Sequence, residues 1–333
     1  MQGTWLSQSL PALASHLSVI KADIAAFRSY LRSQTISTSA LPNKVLDYVF
    51  ANEGKKFRPS LFFFLCKLLG YQGKHLLPMA AVSEYVHTAS LLHDDVVDSS
   101  TLRRCQPTVH SKWGDRTSIL VGDLIYAHAS ELMAATGSLE IVKSYAHAIK
   151  RMSEGELLQL DNLFRLDMEQ GLYLQVISYK TAELLAATCM SAAILAMHDD
   201  GSADQRQTCY RFGYNIGIAF QLVDDALDYS SKEMDKDRLA DFANGRVTMP
   251  MILLYQRGDA ETKTFLRHAA SQSPIKHADL VEIKKLAHAH NTVKSTVELA
   301  HNHTAQAIEL LSVFPSSPAK ASLIKLVKML MTR

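Results

Sequence analysis

Cysteine is scarce in this chain, with four in 333 residues, at positions 66, 105, 189 and 209. None stands in C-x-x-C spacing, so the pattern excludes a thiolate zinc module and a disulfide-stapled fold, and suits a reducing compartment. Net charge is almost absent too. The 35 Lys and Arg side chains against 33 Asp and Glu leave +2, which gives no overall pull toward nucleic acid or an anionic membrane. A membrane-spanning run is missing: the longest nearly uncharged stretch, residues 184–197, carries Thr188 and Ser191 and is too short to cross a bilayer. The N-terminus shows no basic-then-apolar signal. Neither G-x-x-x-x-G-K-[ST] nor G-x-G-x-x-G occurs after a strand-like run, so the usual nucleotide cradles are excluded. These absences predict a cytoplasmic protein with no nucleic-acid partner and no stable membrane insertion. The paired histidines, His288 with His290 and His301 with His303, are two apart. On a helix that spacing points to different sides, so they are read as surface residues rather than metal ligands.

What remains is helical. Hydrophobic residues make up 47% of the chain and recur at three and four positions over long windows, with 14 glycines and 9 prolines falling mostly between them. The periodicity predicts helices over roughly 12–33, 42–52, 56–70, 76–98, 117–136, 139–164, 168–198, 203–231, 247–256, 259–270, 278–312 (as one helix or with a break) and 317–332. The last begins with Ser317 before Pro318, an N-cap followed by proline in the first turn. The polar connections at 99–116 and 230–247 each follow an acidic cluster. The expectation is an all-α fold in a single domain over 1–333.

In HDDVVD, Asp94 and Asp98 are four apart and share one helix face. Two carboxylates so placed repel unless a cation sits between them. GIAFQLVDDALDY repeats the D-D-x-x-D spacing at Asp224, Asp225 and Asp228, with Gln221 one turn earlier. Two such clusters invite one site, and hard carboxylate oxygens suit Mg²⁺, which completes its octahedron with water and phosphate oxygens. The expected ligand is therefore phosphorylated. Basic side chains lie beside the clusters: Arg103 and Arg104 after the first, Lys236 and Arg246 after the second, Lys180 with Thr181 in SYKTAELL, and Lys55, Lys56 and Arg58 in EGKKFRP.

With DDVVDSSTLRR, FQLVDDALDY and, in order, EGKKFRP, WGDRTSILVGD, EGELLQ, YKTAELL and GRVTMP, the chain resembles the trans-type isoprenyl diphosphate synthases over about residues 40–330. Within that family it is most similar to the long-chain octaprenyl members. The resemblance implies a bundle of helices around a deep central cavity, a homodimer, and Mg²⁺ held by Asp94, Asp98, Asp224 and Asp228. It implies an allylic diphosphate contacted by Arg103, Lys180, Thr181, Gln221 and Lys236, and isopentenyl diphosphate contacted by Lys55, Arg58, His87 and Arg104. Asp95, Asp225 and Asp228 are expected to support metal waters and neighbouring cations. Phe220, with Thr181 and Gln221, is a candidate to face an allylic cation.

A product chain would run below Asp94 along Ala89 and Ser90, then Val86, then Ser83 and Val82. These residues leave three turns without a bulky plug, about 16 Å, although the same small residues would also serve close helix packing. Leu132 and Met133 match floor positions of long-chain relatives. The expectation is a long product, octaprenyl as the central choice, for a quinone side chain. A geranylgeranyl diphosphate synthase and a non-catalytic partner subunit are the alternatives. The chain departs from the family at Glu53 and Cys105, both usually glycine, at His128 and Ser130, where Arg and Phe are common, at Arg246 for lysine, and around Lys236, where both glycines of the usual G-K-x-x-G-x-D are replaced.

Overall fold

The structure is a computed structural model that describes residues 18–51, 56–197, 203–229 and 239–331. Helices dominate, in the order α1 Lys21–Ser33, α2 Ala40–Ala51, α3 Phe57–Leu68, α4 Leu76–Val97, α5 Val109–Trp113, α6 Asp115–Ala134, α7 Leu139–Leu160, α8 Gln170–Ile177, α9 Glu183–Ala196, α10 Ala203–Asp228, α11 Ala240–Ala243, α12 Met249–Arg257, α13 Ala260–Ala270, α14 His277–Ala289, α15 Thr292–Leu310 and α16 Pro318–Leu330. The β structure among the described residues is one small hairpin, β1 Leu102–Arg103 and β2 Gln106–Pro107. No helix among them is long and apolar enough to cross a membrane.

The chain divides into two compact units, neither of which is contiguous. One takes the described residues within 1–149, 187–210 and 313–326, the other those within 150–186, 211–312 and 327–333. In the first, α3 is apolar nearly all round. Its run from Leu61 to Cys66 is fully buried, with Phe63 edge-on to Phe27 of α1 at 5.8 Å. Each such phenylalanine adds about 1.5–3 kcal/mol of burial free energy. In the second, Leu222 of α10, Met249, Ile252 and Leu254 of α12, Leu266 of α13 and Ile283 of α14 form the buried centre.

Several boundaries differ from the periodicity. The segment 278–312, open between one helix and two, divides at His290 and Asn291, where Asn291 takes a left-handed backbone (φ 55°) that asparagine tolerates better than most residues. The expected 168–198 helix is interrupted by a π-helical turn at Ser178–Ala182. The connection 99–116 is not featureless: it holds the hairpin and α5. The Ser317 cap forms as expected, its hydroxyl accepting from the Lys320 N–H at 3.1 Å. The expected helix from residue 12 begins outside the described residues.

Candidate active site

In the first unit, α4 carries Asp94 and Asp98 at its C-terminal end, half-buried and exposed respectively, with Asp95 a third of a turn away and buried. The helix closes where the Asp98 N–H returns to the Asp94 carbonyl at 2.8 Å, and Ser99 reverses the chain (φ 50°). The hairpin then turns through Arg104 and Cys105, both left-handed at φ 52° and 62°. This is the two-residue turn whose twist matches a hairpin. It aims Arg103 back at α4: Arg103 Nε lies 2.9 and 3.2 Å from the two Asp95 oxygens, and Nη2 lies 2.8 Å from Oδ1. The usual family glycine at 105 is thereby explained, since a side chain in this conformation is strained.

Beneath this end lies a group of cations. Lys56, the left-handed residue before α3, makes a buried ion pair with Glu84 of α4 at 3.0 Å. Arg58, one residue into α3, keeps a buried Nε without a hydrogen-bond partner. Burial lowers the pKa of Arg58, opposed by Glu84 and reinforced by Arg104. One turn beyond Glu84, His87 is held well below the usual imidazole range by burial and then by Arg58, Arg103, Arg104 and Lys56. It is a neutral imidazole amid four cations and can donate one N–H to an anion without adding charge. Toward the N-terminus from Asp94 along α4, Ala89, Val86, Ser83 and Val82 are fully buried, while Ser90 is half-buried. The hydroxyls of Ser83 and Ser90 each return to a carbonyl of their own helix at 2.8 Å. On α6, Met133 is buried and Leu132 half-buried. Helices α4 and α6 approach closely at Gly122, where a Cβ would meet the His93 imidazole at 2.3 Å.

The second unit builds its site on the π turn, a distortion that recurs at functional positions. Two glycines press helices against it. A Cβ on Gly217 of α10 would fall 2.3 Å from the Ala182 Cα, and one on Gly155 of α7 would fall 2.8 Å from the Lys180 side chain. The first approach places Gln221 beside Thr181, whose hydroxyl donates to Gln221 Oε1 at 3.0 Å. The second places Glu156 against Lys180 Nζ at 2.5 Å. On α10, Asp224 is exposed, Asp228 half-buried and Asp225 buried. Asp225 accepts from Gln221 Nε2 at 2.8 Å and from the Tyr173 hydroxyl at 2.5 Å. Burial and the charge of Asp241 push its carboxyl up to about 8. Asp228 accepts from the backbone N–H groups of Ala240 and Asp241, both at 3.3 Å. Burial and Asp241 raise it to about 6. Asp241 in turn takes Arg246 Nε at 2.9 Å.

Among the described residues, no three His, Cys, Asp or Glu side chains gather into a metal cage. The donors that do occur are pairs of carboxylates one turn apart, Asp94 with Asp98 and Asp224 with Asp228. Those residues fit Mg²⁺, which binds through one or two carboxylates and takes its other ligands from phosphate and water. Softer metals preferring nitrogen or sulfur do not fit.

The Polyprenyl synthetase family profile matches residues 39–287. The chain belongs to the polyprenyl synthetase family. An octaprenyl diphosphate synthase of Escherichia coli (strain K12) is 32% identical over 313 residues, covering 93% of this chain and 96% of the relative. The crystal structure of a decaprenyl diphosphate synthase from Rhodobacter capsulatus superposes with a TM-score of 0.89 at 32% identity, covering 96% of this chain and 99% of that one. A polyprenyl synthase from Caulobacter crescentus CB15, complexed with calcium and isoprenyl diphosphate, gives 0.88 at 33% identity, covering 96% and 98%. This polyprenyl synthetase is thus an enzyme of the all-α prenyltransferase fold.

Of the residues singled out from the polyprenyl synthetase motifs, the structure gathers Arg58, His87, Arg103 and Arg104 in one unit and Lys180, Thr181, Gln221 and Asp228 in the other. Lys55 and Lys236 lie outside the described residues, as does Glu53. The Gln221 amide, one turn before the second cluster, reaches Asp225, four residues on. Glu84, Glu156 and Tyr173 were not singled out. Glu84 had a signal, an acid one turn before His87 on an otherwise apolar helix. Glu156 sat within the quoted EGELLQ block, and Tyr173 seven residues before Lys180, without a local pattern to mark either.

Proposed function

We propose that this enzyme condenses isopentenyl diphosphate with an allylic diphosphate to build a long-chain all-trans polyprenyl diphosphate, octaprenyl by preference, as a quinone side chain. The observation that carries the reading is the doubled D-D-x-x-D, in which the first and third aspartates, one turn apart, keep some exposure while the second is buried and held. Asp94, Asp98, Asp224 and Asp228 are the carboxylates proposed to hold Mg²⁺, with Arg103, Lys180 and Lys236 on the allylic diphosphate. Bound there, Mg²⁺ would neutralise charge developing on the departing diphosphate. Arg58, His87, Arg104 and Lys55 bind isopentenyl diphosphate, His87 as a neutral donor. The allylic C–O bond breaks with its electron pair leaving on diphosphate. The double bond of isopentenyl diphosphate supplies the pair for the new C–C bond, and a proton then passes to the departed diphosphate. Thr181 and Gln221 present oriented dipoles to the cation without supplying water to quench it.

Chain length is proposed from Ala89, Ser90 and Val86 on α4 and Met133 on α6, because relatives of equal identity bear octaprenyl and decaprenyl names. One synthase domain over the whole chain, acting as a homodimer, completes the proposal. The test is incubation of the purified protein with Mg²⁺, farnesyl diphosphate and labelled isopentenyl diphosphate, followed by separation of dephosphorylated products by length. One dominant product near the octaprenyl length supports the reading. A C20 product would replace it with the geranylgeranyl alternative, and no incorporation would overturn catalysis by this chain.

A further inference from the structure

Four side chains of the second unit form a hydrogen-bond relay with one direction. At its inner end the Tyr173 hydroxyl donates to Asp225 Oδ2 at 2.5 Å. Asp225 Oδ1 accepts from Gln221 Nε2 at 2.8 Å. An amide with its nitrogen so engaged presents its oxygen at the other end, and Gln221 Oε1 accepts from the Thr181 hydroxyl at 3.0 Å. Every donor therefore points toward Asp225. Whether or not the carboxyl holds a proton on Oδ2, its Oδ1 remains an acceptor, and the Gln221 amide keeps its orientation. The consequence emerges at the far end: a threonine that has committed its hydrogen inward turns only lone pairs outward.

We propose that Tyr173 and Asp225 are positioning residues that fix the Gln221 amide and, through it, the Thr181 hydroxyl, so that an electron-rich oxygen faces the allylic carbon as positive charge develops there. This rests on the reading of Thr181 and Gln221 as neighbours of the allylic substrate. It also gives Asp225 a role unlike that of the outward aspartates of its motif. Preorganised dipoles of this kind act without reorganising during the reaction. Because the ground-state allylic carbon carries little charge, the relay should weigh on the chemical step more than on binding.

The test uses the full-length enzyme with Mg²⁺ and both diphosphates. In Tyr173→Phe, which keeps the ring and removes the donor, kcat should fall about tenfold, the scale of one hydrogen bond made in the transition state. The KM values, and the affinity for an unreactive allylic diphosphate analogue, should stay within about twofold of wild type. In a Thr181→Val background the same substitution should have no further effect, because the relay has lost its terminus. Asp225→Asn keeps the Oδ1 acceptor without the charge, and should retain far more activity than Asp224→Asn. Additive effects of Tyr173→Phe and Thr181→Val would overturn the relay. So would an Asp225→Asn enzyme as impaired as Asp224→Asn, since that outcome assigns Asp225 a charge-based role. If Tyr173→Phe fails to fold, the Asp225→Asn comparison decides alone. An active wild type with either contrary result removes this proposal only, whereas a wild type that makes no polyprenyl product removes the proposed function and the relay together.

Discussion

The same five-residue spelling, D-D-x-x-D, occurs in both units, and the two copies solve one problem in different ways. In each, the second aspartate is buried, 3% exposed at Asp95 and 2% at Asp225. Asp95 meets a full cation, with Arg103 spanning both of its oxygens. Among the described residues, Asp225 meets neutral donors, Tyr173 and Gln221, with further carboxylates nearby. In the second unit, burial and the charge of Asp241 push the Asp225 carboxyl up, with Tyr173 and Gln221 as its neutral donors. The lesson is that the motif has two parts: an outward i, i+4 pair for chemistry, and an inward aspartate whose partners are supplied by each unit from its own residues.

The largest expected effect tests the outward half. Asp94→Ala or Asp224→Ala should each lower the rate by two to three orders of magnitude, about 3–4 kcal/mol of barrier, with a melting temperature near wild type because neither side chain is buried. A variant that loses its fold instead would break the division between outward and inward positions. Next come the glycines. Gly217→Ala drives a methyl into the Ala182 backbone and should cost about 1–3 kcal/mol of stability together with activity. Gly122→Ala in the other unit meets the end of the His93 side chain, which can swing aside, and should cost clearly less in the same melting experiment.

The inward half is sharpened by matched asparagines. Asp95→Asn strips Arg103 of its counter-charge and should cost about 1–2 kcal/mol in denaturant unfolding at pH 8, while Asp225→Asn should be near neutral there. The pH dependence follows from the same contrast. Native carboxyls raised from 3.8 to about 6 at Asp228 and about 8 at Asp225 hold protons that the unfolded chain has lost. Their stabilisation is complete near pH 4 and declines as pH rises through about 6 and then about 8. In metal-free buffer the melting temperature should therefore fall by a few degrees across that range, and Asp225→Asn should flatten the upper part of the slope. The smallest effect is a gain: Cys105→Gly relieves the left-handed hairpin residue and should stabilise by about 1 kcal/mol.

Much of this was written in the sequence. Period and caps located most helices, and the i, i+4 spacing put each pair of aspartates one turn apart near a helix C-terminus, where the structure has them. What escaped has physical reasons. The π turn at Ser178–Ala182 leaves no local mark in the residues that form it, and the glycines packed against it, Gly155 and Gly217, lie elsewhere along the chain. The hairpin was hidden because Arg104 and Cys105 occupy positions where asparagine and glycine announce a turn. Tyr173 and Glu156 find their partners 52 and 24 residues away along the chain, a separation that only folding closes. The single Gln221 amide illustrates the limit best: helical geometry allows it to reach either Asp224 or Asp225, and the packing of Tyr173 decides for Asp225.

The most direct measurement is a crystal structure with Mn²⁺ in place of Mg²⁺ and an unreactive allylic diphosphate, with the metals located by anomalous scattering. The account predicts manganese bound through Asp94 or Asp98 and through Asp224 or Asp228, with Asp95 still on Arg103 and Asp225 still on Tyr173 and Gln221. Manganese coordinated by Asp95 or Asp225 would contradict it.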